Sequence, residues 1–430
     1  MFFSTCFMIF SLASECFSSY SHSLIHSKNV PLYQRPLIYV ACFMYVYLQW
    51  VLFEIKALFE TEGLNLVSVR ERYEMKTIYL VCDITLHKGT SFFDYLYQLE
   101  TTEYHFVLVT PDITRDARNA LENKGYKYER VSNVVQLMLL LRGSPANMIH
   151  FHFYGIGHLY LLCSRLLCSN IILTAHQSLP KEKQPLNVKC RSIIQSALMK
   201  VKRRILILFL RRTVAVSSFI YRWLISDIPS YSVVRIDNGI NLQRFSYAEL
   251  SPVSTTLNCF FVGHLSEEKG VCKLLYLFSD SEISKIANIS IIGDGPMQEE
   301  VKQAAKKFSS ITYLGPSECV EQDLTGAHLL LVPSQWQEAF GYVAVESMAM
   351  GRPVLAQPTG GLGELFSHSN HSWYVDFNDK GAVENVLKAL LSQPELIRIT
   401  GIKAHWWVHE HYSLTRQINQ THALYSELLN

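Results

Sequence analysis

Two glutamates, Glu338 and Glu346, stand in the segment LVPSQWQEAFGYVAVESMAMGRPVLAQPTGGLGE, residues 331–364. An apolar run ends at Pro333-Ser334, Glu338 falls on the loop after it, and a helix is predicted to start near Gly341. Backbone N–H groups in a first helical turn lack intrahelical acceptors, so that start is a ready anion site. Glu346 lies five residues past Gly341, roughly 7.5 Å along the axis at ~1.5 Å per residue. Two carboxylates so spaced can accept hydrogen bonds from two different sets of hydroxyls, such as a sugar ring and a ribose, with phosphates between them. Ionised acceptors hold such groups more strongly than neutral ones. Stripped of context, the same two glutamates would read as surface charges. The context is Gly360-Gly361 after the next predicted strand, a second close backbone approach, with Glu364 just beyond.

Other residues that could carry chemistry also follow apolar runs. In FVGHLSEEKGV, residues 261–271, Gly263 lets the backbone turn closely beside a ligand, and His264 and Lys269 lie on the loop that follows. A lysine there neutralises a pyrophosphate as a point charge, and a histidine donates a hydrogen bond in either protonation state. On its own, Lys269 reads as one solvated lysine among many. In ISIIGDGPMQEEV, Gly293 and Gly295 echo the opening of a dinucleotide fingerprint, but Gln298 stands where its third glycine belongs. Pro296 instead suits the first turn of a helix, and this G-x-G reads by itself as a strand-to-helix turn. In ILTAHQ, His176 falls directly after an apolar run.

The elements that must position these residues alternate along the chain. TIYLVC, HFVLVT, MIHFHF, IILTAH and RTVAVS read as buried strands, with helices predicted over 92–102 and 113–124. NCFFVG, ISIIGDG, ITYLG, HLLLVPS and PVLAQ form a second set, with helical spacing over 271–287, 296–308 and 341–350. VRIDNGINLQRF, at 234–245, lies between the sets and contains the turn-forming pair Asn238-Gly239. The pattern predicts an α/β chain of two Rossmann-like doubly wound domains facing across a cleft. The expected boundaries are a hydrophobic extension over 1–74, domains over 75–245 and 246–405, and a last helix over 406–430 that crosses back to the first domain. Trp406 and Trp407 are expected to pack in the core rather than to form a sugar platform.

A chain of 430 residues with 49% hydrophobic and 18% charged residues has ample core for two domains and is no candidate for disorder. A formal net charge of +2 supplies no global field for nucleic acid. Ten cysteines run from Cys6 to Cys319 without a C-x-x-C pair, a pattern of reduced, buried thiols in a cytoplasmic protein. Residues 36–53 are uncharged and aromatic-rich, near the lower limit for a membrane-spanning helix. For 1–74 three readings stand open: a membrane anchor, a hydrophobic segment packed on the enzyme, or translated upstream sequence preceding a natural start at Met75. The stretch 198–212, LMKVKRRILILFLRR, reads either as a basic amphipathic helix suited to an anionic membrane surface or as a helix packed on the sheet with solvated cations.

Taken in order, VGHL-x3-KG, IIGDGP, VPS-x3-E-A-F-G-x4-E-x-M-A-x-G-x-P-V and GG-x-x-E resemble glycosyltransferase family 4, retaining enzymes of the GT-B fold. The resemblance is tight over 255–370, looser over 75–250, and does not extend to 1–74. It implies a nucleotide-sugar donor, UDP- or GDP-linked, and a glycan or lipid-linked acceptor in surface polysaccharide or lipopolysaccharide assembly. It implies that Lys269 meets the donor diphosphate, with His264 at the place where the family usually has an arginine. That change removes a permanent charge and a bidentate fork. Glu338 matches the glutamate that touches the donor sugar, and Glu346 the one that holds the ribose. Gly341 and Tyr342 match the backbone donors to phosphate, while Gly263, Gly293 and Phe340 fall within the donor-binding motifs. His176 resembles the family's histidine beside the reacting sugar, so the catalytic set implied is Glu338, Lys269 and His176. The family's glycine-rich first loop appears only as Lys88-Gly89-Thr90, on the acceptor side. No Asp-x-Asp occurs in the chain, and neither a metal nor a cofactor is expected. The location implied is cytoplasmic, or peripheral on the cytoplasmic face of a membrane. Rival readings are a nucleotide-sugar epimerase or phosphorylase of the same fold, a non-catalytic GT-B scaffold and, more distantly, an NAD-dependent dehydrogenase.

Overall fold

A computed structural model of the chain describes residues 75–99, 102–154, 159–176, 209–366 and 371–430. The expectations for residues 1–74, and for 198–208 of the basic stretch, lie outside the described residues.

Strands alternate with helices as the apolar runs require. The first half contains β1 (Lys76–Cys82), β2 (Thr85–Leu86), β3 (Tyr104–Thr110), β4 (Asp112–Ile113), β5 (Lys127–Arg130), β6 (Met148–His152), β7 (Ile171–Ala175), β8 (Arg212–Ala215) and β9 (Val233–Arg235). Seven of them form a parallel sheet in the order β5-β3-β1-β6-β7-β8-β9, and β2 pairs separately with β4. The second half contains β10 (Leu257–Val262), β11 (Ala287–Ile292), β12 (Ile311–Gly315), β13 (Leu329–Val332), β14 (Val354–Ala356) and β15 (Trp373–Tyr374), parallel in the order β12-β11-β10-β13-β14-β15. Each sheet is covered on both faces, which explains why β6, β7 and β13 are buried at every residue rather than alternating.

In both sheets the chain builds outward to one side and then crosses to the other. The reversals fall between β1 and β6 and between β10 and β13. At such a switch point the loops after neighbouring strands diverge and leave a crevice at the carboxyl ends. Residues following β6, β10 and β13 are thus the ones the topology sends there.

One face of the first sheet, with Ile78, Leu80 and Phe106, packs against the helix Ser91–Gln98 and the C-terminal helix Leu414–Leu429. The opposite face, with Tyr79 and Phe151, belongs to a core that continues through Phe340, Val345 and Met348 of the second half. A third cluster covers the far face of the second sheet. The C-terminal helix is tied to the first half at both ends: Ile240 bridges to Ser413, and Lys76 Nζ donates to the Leu429 carbonyl at 2.9 Å.

The two tryptophans differ in their surroundings. Trp407 packs against the shared core, but Trp406 is 64% exposed and does not fill it. Adjacent residues on the helix Pro394–His411 point about 100° apart, so only one of them can face inward. The cysteine expectation needs a similar correction: Cys82, Cys163, Cys168 and Cys259 are buried thiols, whereas Cys272 and Cys319 are exposed.

Candidate active site

A cleft of about 840 Å³ opens at the carboxyl ends of the strands, and Gly263, His264, Lys269, Glu338, Phe340, Gly341, Tyr342, Glu346 and His176 all line it. Residues separated by up to 170 positions in sequence meet there because both switch points face it.

The turn after β13 carries the acidic loop. Glu338 Oε1 accepts hydrogen bonds from Lys269 Nζ at 2.7 Å and from the Ser334 hydroxyl at 2.8 Å. The Glu338 carbonyl accepts from Gly361 N–H at 2.6 Å, so the Gly360-Gly361 turn clamps the peptide of Glu338 itself. Both side-chain bonds fall on one carboxylate oxygen, which leaves Oε2 to accept from a ligand. Lys269 is thus paired with Glu338 rather than waiting as a free cation.

Gly341 ends the loop with φ +95 and caps the helix Tyr342–Ala349, whose first turn points into the cleft. The left-handed conformation is easy for glycine and costs an L-residue about 1–2 kcal/mol. Farther along this helix, Glu346 accepts a very short hydrogen bond from the Ser91 hydroxyl of the first half. Burial pushes the Glu346 carboxyl up from its usual value, against the opposing effects of the Ser91 bond and the Arg244 charge.

Other expected residues sit at the margin of the cleft or outside it. Gly293 does not line the cleft but backs it: a Cβ there would meet the Gly263 carbonyl oxygen at 1.9 Å. Tyr313 closes the same turn by donating from its hydroxyl to the Gly293 carbonyl at 3.1 Å. His264 approaches Asp294 at 4.0 Å, and both side chains are largely exposed. Lys88-Gly89-Thr90 is not among the cleft-lining residues; Thr90 caps the helix Ser91–Gln98, and the Gly89 carbonyl accepts from Arg244 at 2.6 Å. Glu364 is not among the cleft-lining residues; it accepts from Phe219 N–H at 2.6 Å and pairs with Arg222.

Several residues escaped the sequence reading. Arg244 donates to Glu321 at 2.8 Å as well as to Gly89 and pairs with Asp94 at 3.4 Å, linking both halves through a side chain only 14% exposed. Behind His176, His152 Nδ1 and His176 Nε2 share a hydrogen bond of 3.1 Å. Phe153 stacks on the His176 ring at 4.2 Å with its own backbone at φ 65. His150 packs against His152 and is bonded to the Tyr425 hydroxyl at 2.7 Å and the Thr174 hydroxyl at 2.6 Å. Burial pushes His150 and His176 down to about 3 and holds His152 well below its usual value. The available signal was MIHFHF itself, since two histidines at i and i+2 on a strand share one face.

Fold and site together define a GT-B protein with a cleft at the carboxyl ends of its strands. The family profile described as "Glycosyl transferases group 1" matches residues 248–405, and that described as "Glycosyltransferase Family 4" matches 95–244. The chain belongs to the family 4-like glycosyltransferases of the GT-B fold. Among curated relatives it is 26% identical to N-acetyl-alpha-D-glucosaminyl L-malate synthase of Bacillus anthracis, over 39% of this chain and 45% of that protein. It is 28% identical to the lipopolysaccharide 1,2-N-acetylglucosaminetransferase of Salmonella typhimurium, over 35% of this chain and 44% of the relative. The matches thus span about half the length of these relatives. HepE of Anabaena, solved in complex with UDP-glucose, superposes with a TM-score of 0.65 at 15% identity, covering 82% of this chain and all of that one. Among the described residues no helix is long and apolar enough to cross a membrane.

Proposed function

We propose that this chain transfers a sugar from a UDP- or GDP-linked donor to a glycan or lipid-linked acceptor, with retention at the anomeric carbon and no metal requirement. The observation that carries the proposal is the single cleft wall on which Glu338, braced by Lys269 and Ser334, and Glu346 flank a helix start. That wall suits a molecule with hydroxyls at both ends and phosphates between them. HepE, of the same fold, was solved with such a molecule, and the name of the Salmonella relative supports lipopolysaccharide-type assembly as the setting. A cytoplasmic site of action, on or near the membrane face, goes with a lipid-linked acceptor.

Chemically, the acceptor oxygen forms its bond to the anomeric carbon on the face from which the phosphate oxygen departs. The acceptor proton passes to that departing oxygen, so no separate base is needed. Lys269, His264 and the N–H groups near Gly341 stabilise the charge that grows on the diphosphate. Glu338 orients the sugar by accepting from its hydroxyls through Oε2, while Glu346 exchanges the Ser91 hydroxyl for those of the ribose. His176 stands across the cleft, against the transferred sugar.

The test is transfer and hydrolysis across a panel of UDP- and GDP-sugars with EDTA present, alongside Glu338→Ala. Turnover of one donor, lost in the variant, supports the reading and names the sugar. Tight nucleotide-sugar binding without turnover, even with lipid-linked acceptors, would replace it with a non-catalytic scaffold. Isomerised donor without acceptor would replace it with an epimerase.

A further inference from the structure

Three histidines, His150 and His152 on β6 and His176 just after β7, form a line from the protein interior to the cleft. His150 is satisfied at both ring nitrogens. His152 has one nitrogen bonded to His176, while its Nε2 is buried and without a partner among the described residues. His176 lines the cleft, its Nε2 is taken by His152, and its Nδ1 is neither buried nor bonded among the described residues. Phe153 lies flat against the His176 ring and Phe92 meets it edge-on at 5.7 Å, so the ring has little freedom to rotate.

The shared bond has two forms. If His176 donated from Nε2, His152 would accept at Nδ1 and would have to carry its own proton on Nε2, a buried N–H with nothing to receive it. If His152 donates from Nδ1, only a lone pair is orphaned at Nε2. Buried N–H groups without acceptors are the rarer and costlier kind of orphan. The enclosed space beside His152, about 10 Å³, is at the lower limit of what one water needs. Burial keeps both rings neutral, so no second proton relieves the choice.

We propose that His152 is a positioning residue: its Nδ1–H donates to His176 Nε2 and thereby fixes His176 as the tautomer that presents Nδ1–H to the cleft. His176 then acts as a one-way donor to a sugar oxygen, with its lone pair engaged by His152. It cannot serve as a base, in keeping with a reaction whose proton leaves with the phosphate. The tautomer stands on the shared hydrogen bond, the orphaned His152 nitrogen and the neutrality of both rings; its use on a sugar rests on the transferase reading above.

The experiment reads ring-nitrogen shifts by nuclear magnetic resonance on the full chain, isotopically labelled in histidine, near neutral pH. His176 is assigned by its loss in His176→Gln. The expected result is a neutral His176 protonated at Nδ1, and protonation at Nε2 would overturn the proposal. His152→Asn keeps an N–H donor close to the place of Nδ1 and should keep the tautomer, with kcat within about twofold. His152→Phe keeps the bulk without the donor; it should release the tautomer and lower kcat about five- to tenfold at nearly constant donor KM. An unchanged tautomer in His152→Phe overturns the proposal, as does an equal loss in both variants. If His152→Phe fails to fold, the wild-type spectrum and the Asn variant still decide. An Nδ1–H tautomer in a chain that transfers no sugar would uphold the positioning and overturn the transferase reading instead.

Discussion

On the proposed reading, the Glu338 carboxylate does two jobs with its two oxygens. Oε1 is held by Lys269 and Ser334, and Oε2 is left to the ligand. Glu338→Gln can keep its carbonyl on those two donors, but it then turns an NH2 toward the sugar where an acceptor stood. A hydrogen bond to a charged group contributes about 1.5–3 kcal/mol, so Glu338→Gln should lower the transfer rate about 10- to 100-fold, read as kcat/KM for the donor. Mass spectrometry of the stalled variant should find no sugar attached to the protein, and a covalent adduct would refute the orienting role. The spacing of Glu338 and Glu346 was legible because both sit in one short segment. Their partners were not: Ser91 reaches Glu346 across 255 positions and Lys269 reaches Glu338 across 69. Pattern within a window carries no information about such pairs. His152 was hidden for another reason, because a histidine within an apolar run looks like a member of the strand until its neighbours are known.

Strands and turns set how accurately those side chains are held. Gly341 lines the cleft and Gly293 backs it, and they differ in what a methyl group would strike. At Gly341 the nearest atom is Cδ2 of Leu362, the end of a flexible side chain, 2.6 Å away. The cost of Gly341→Ala therefore comes chiefly from the left-handed backbone, about 1–2 kcal/mol. At Gly293 the obstacle is the Gly263 carbonyl oxygen at 1.9 Å, fixed between β10 and β11. Gly293→Ala must push the ends of β10 and β11 apart and should lose more than about 3 kcal/mol. Chemical denaturation of the two variants checks the order, and equal losses would contradict the close approach of Gly293 to Gly263. The central strands were readable because a sheet covered on both faces demands continuous apolar runs, as in IILTA of β7. Edge strand β5, KYER, has no fully buried residue and therefore no such run. Arg352 was equally invisible: fully buried, it donates to the carbonyls of Ala248, Glu249, Leu324, Thr325 and Met350, fastening the connecting segment to the second half.

Across the whole molecule, the halves are held together by a few polar contacts laid over a shared core. Arg244 is central among them, because Asp94, Gly89 and Glu321 come from both sides of the cleft. Its partial exposure discounts the value for a fully buried pair, so Arg244→Ala should destabilise by about 1–3 kcal/mol. Small-angle scattering without donor should also show a wider distribution of sizes for this variant. Global stability carries a second signature, in its dependence on pH. His150 is fully enclosed and titrates at about 3 in the fold, against 6.5 when unfolded. Below 6.5 the unfolded chain takes a proton that the folded chain refuses, so the unfolded state binds more protons and stability falls as pH is lowered. The loss approaches about 1.4 kcal/mol per pH unit for each such histidine and continues until the folded value is reached. His152 and His328, both lowered chiefly by burial, add in the same direction. Glu346, raised by burial, opposes them, because the folded chain takes up its proton more readily than the unfolded one. Carboxylates lowered by hydrogen bonds, such as Asp280 with Lys380, act in a more acidic window. Comparing the unfolding free energy of the wild type with that of His150→Gln from neutral pH down to about 4.5 therefore isolates one histidine, because the raised carboxyls act alike in both proteins. The expected result is a steady decline across that interval that becomes shallower in His150→Gln. A flat profile would mean that His150 is charged in the fold, against the desolvation that its burial imposes.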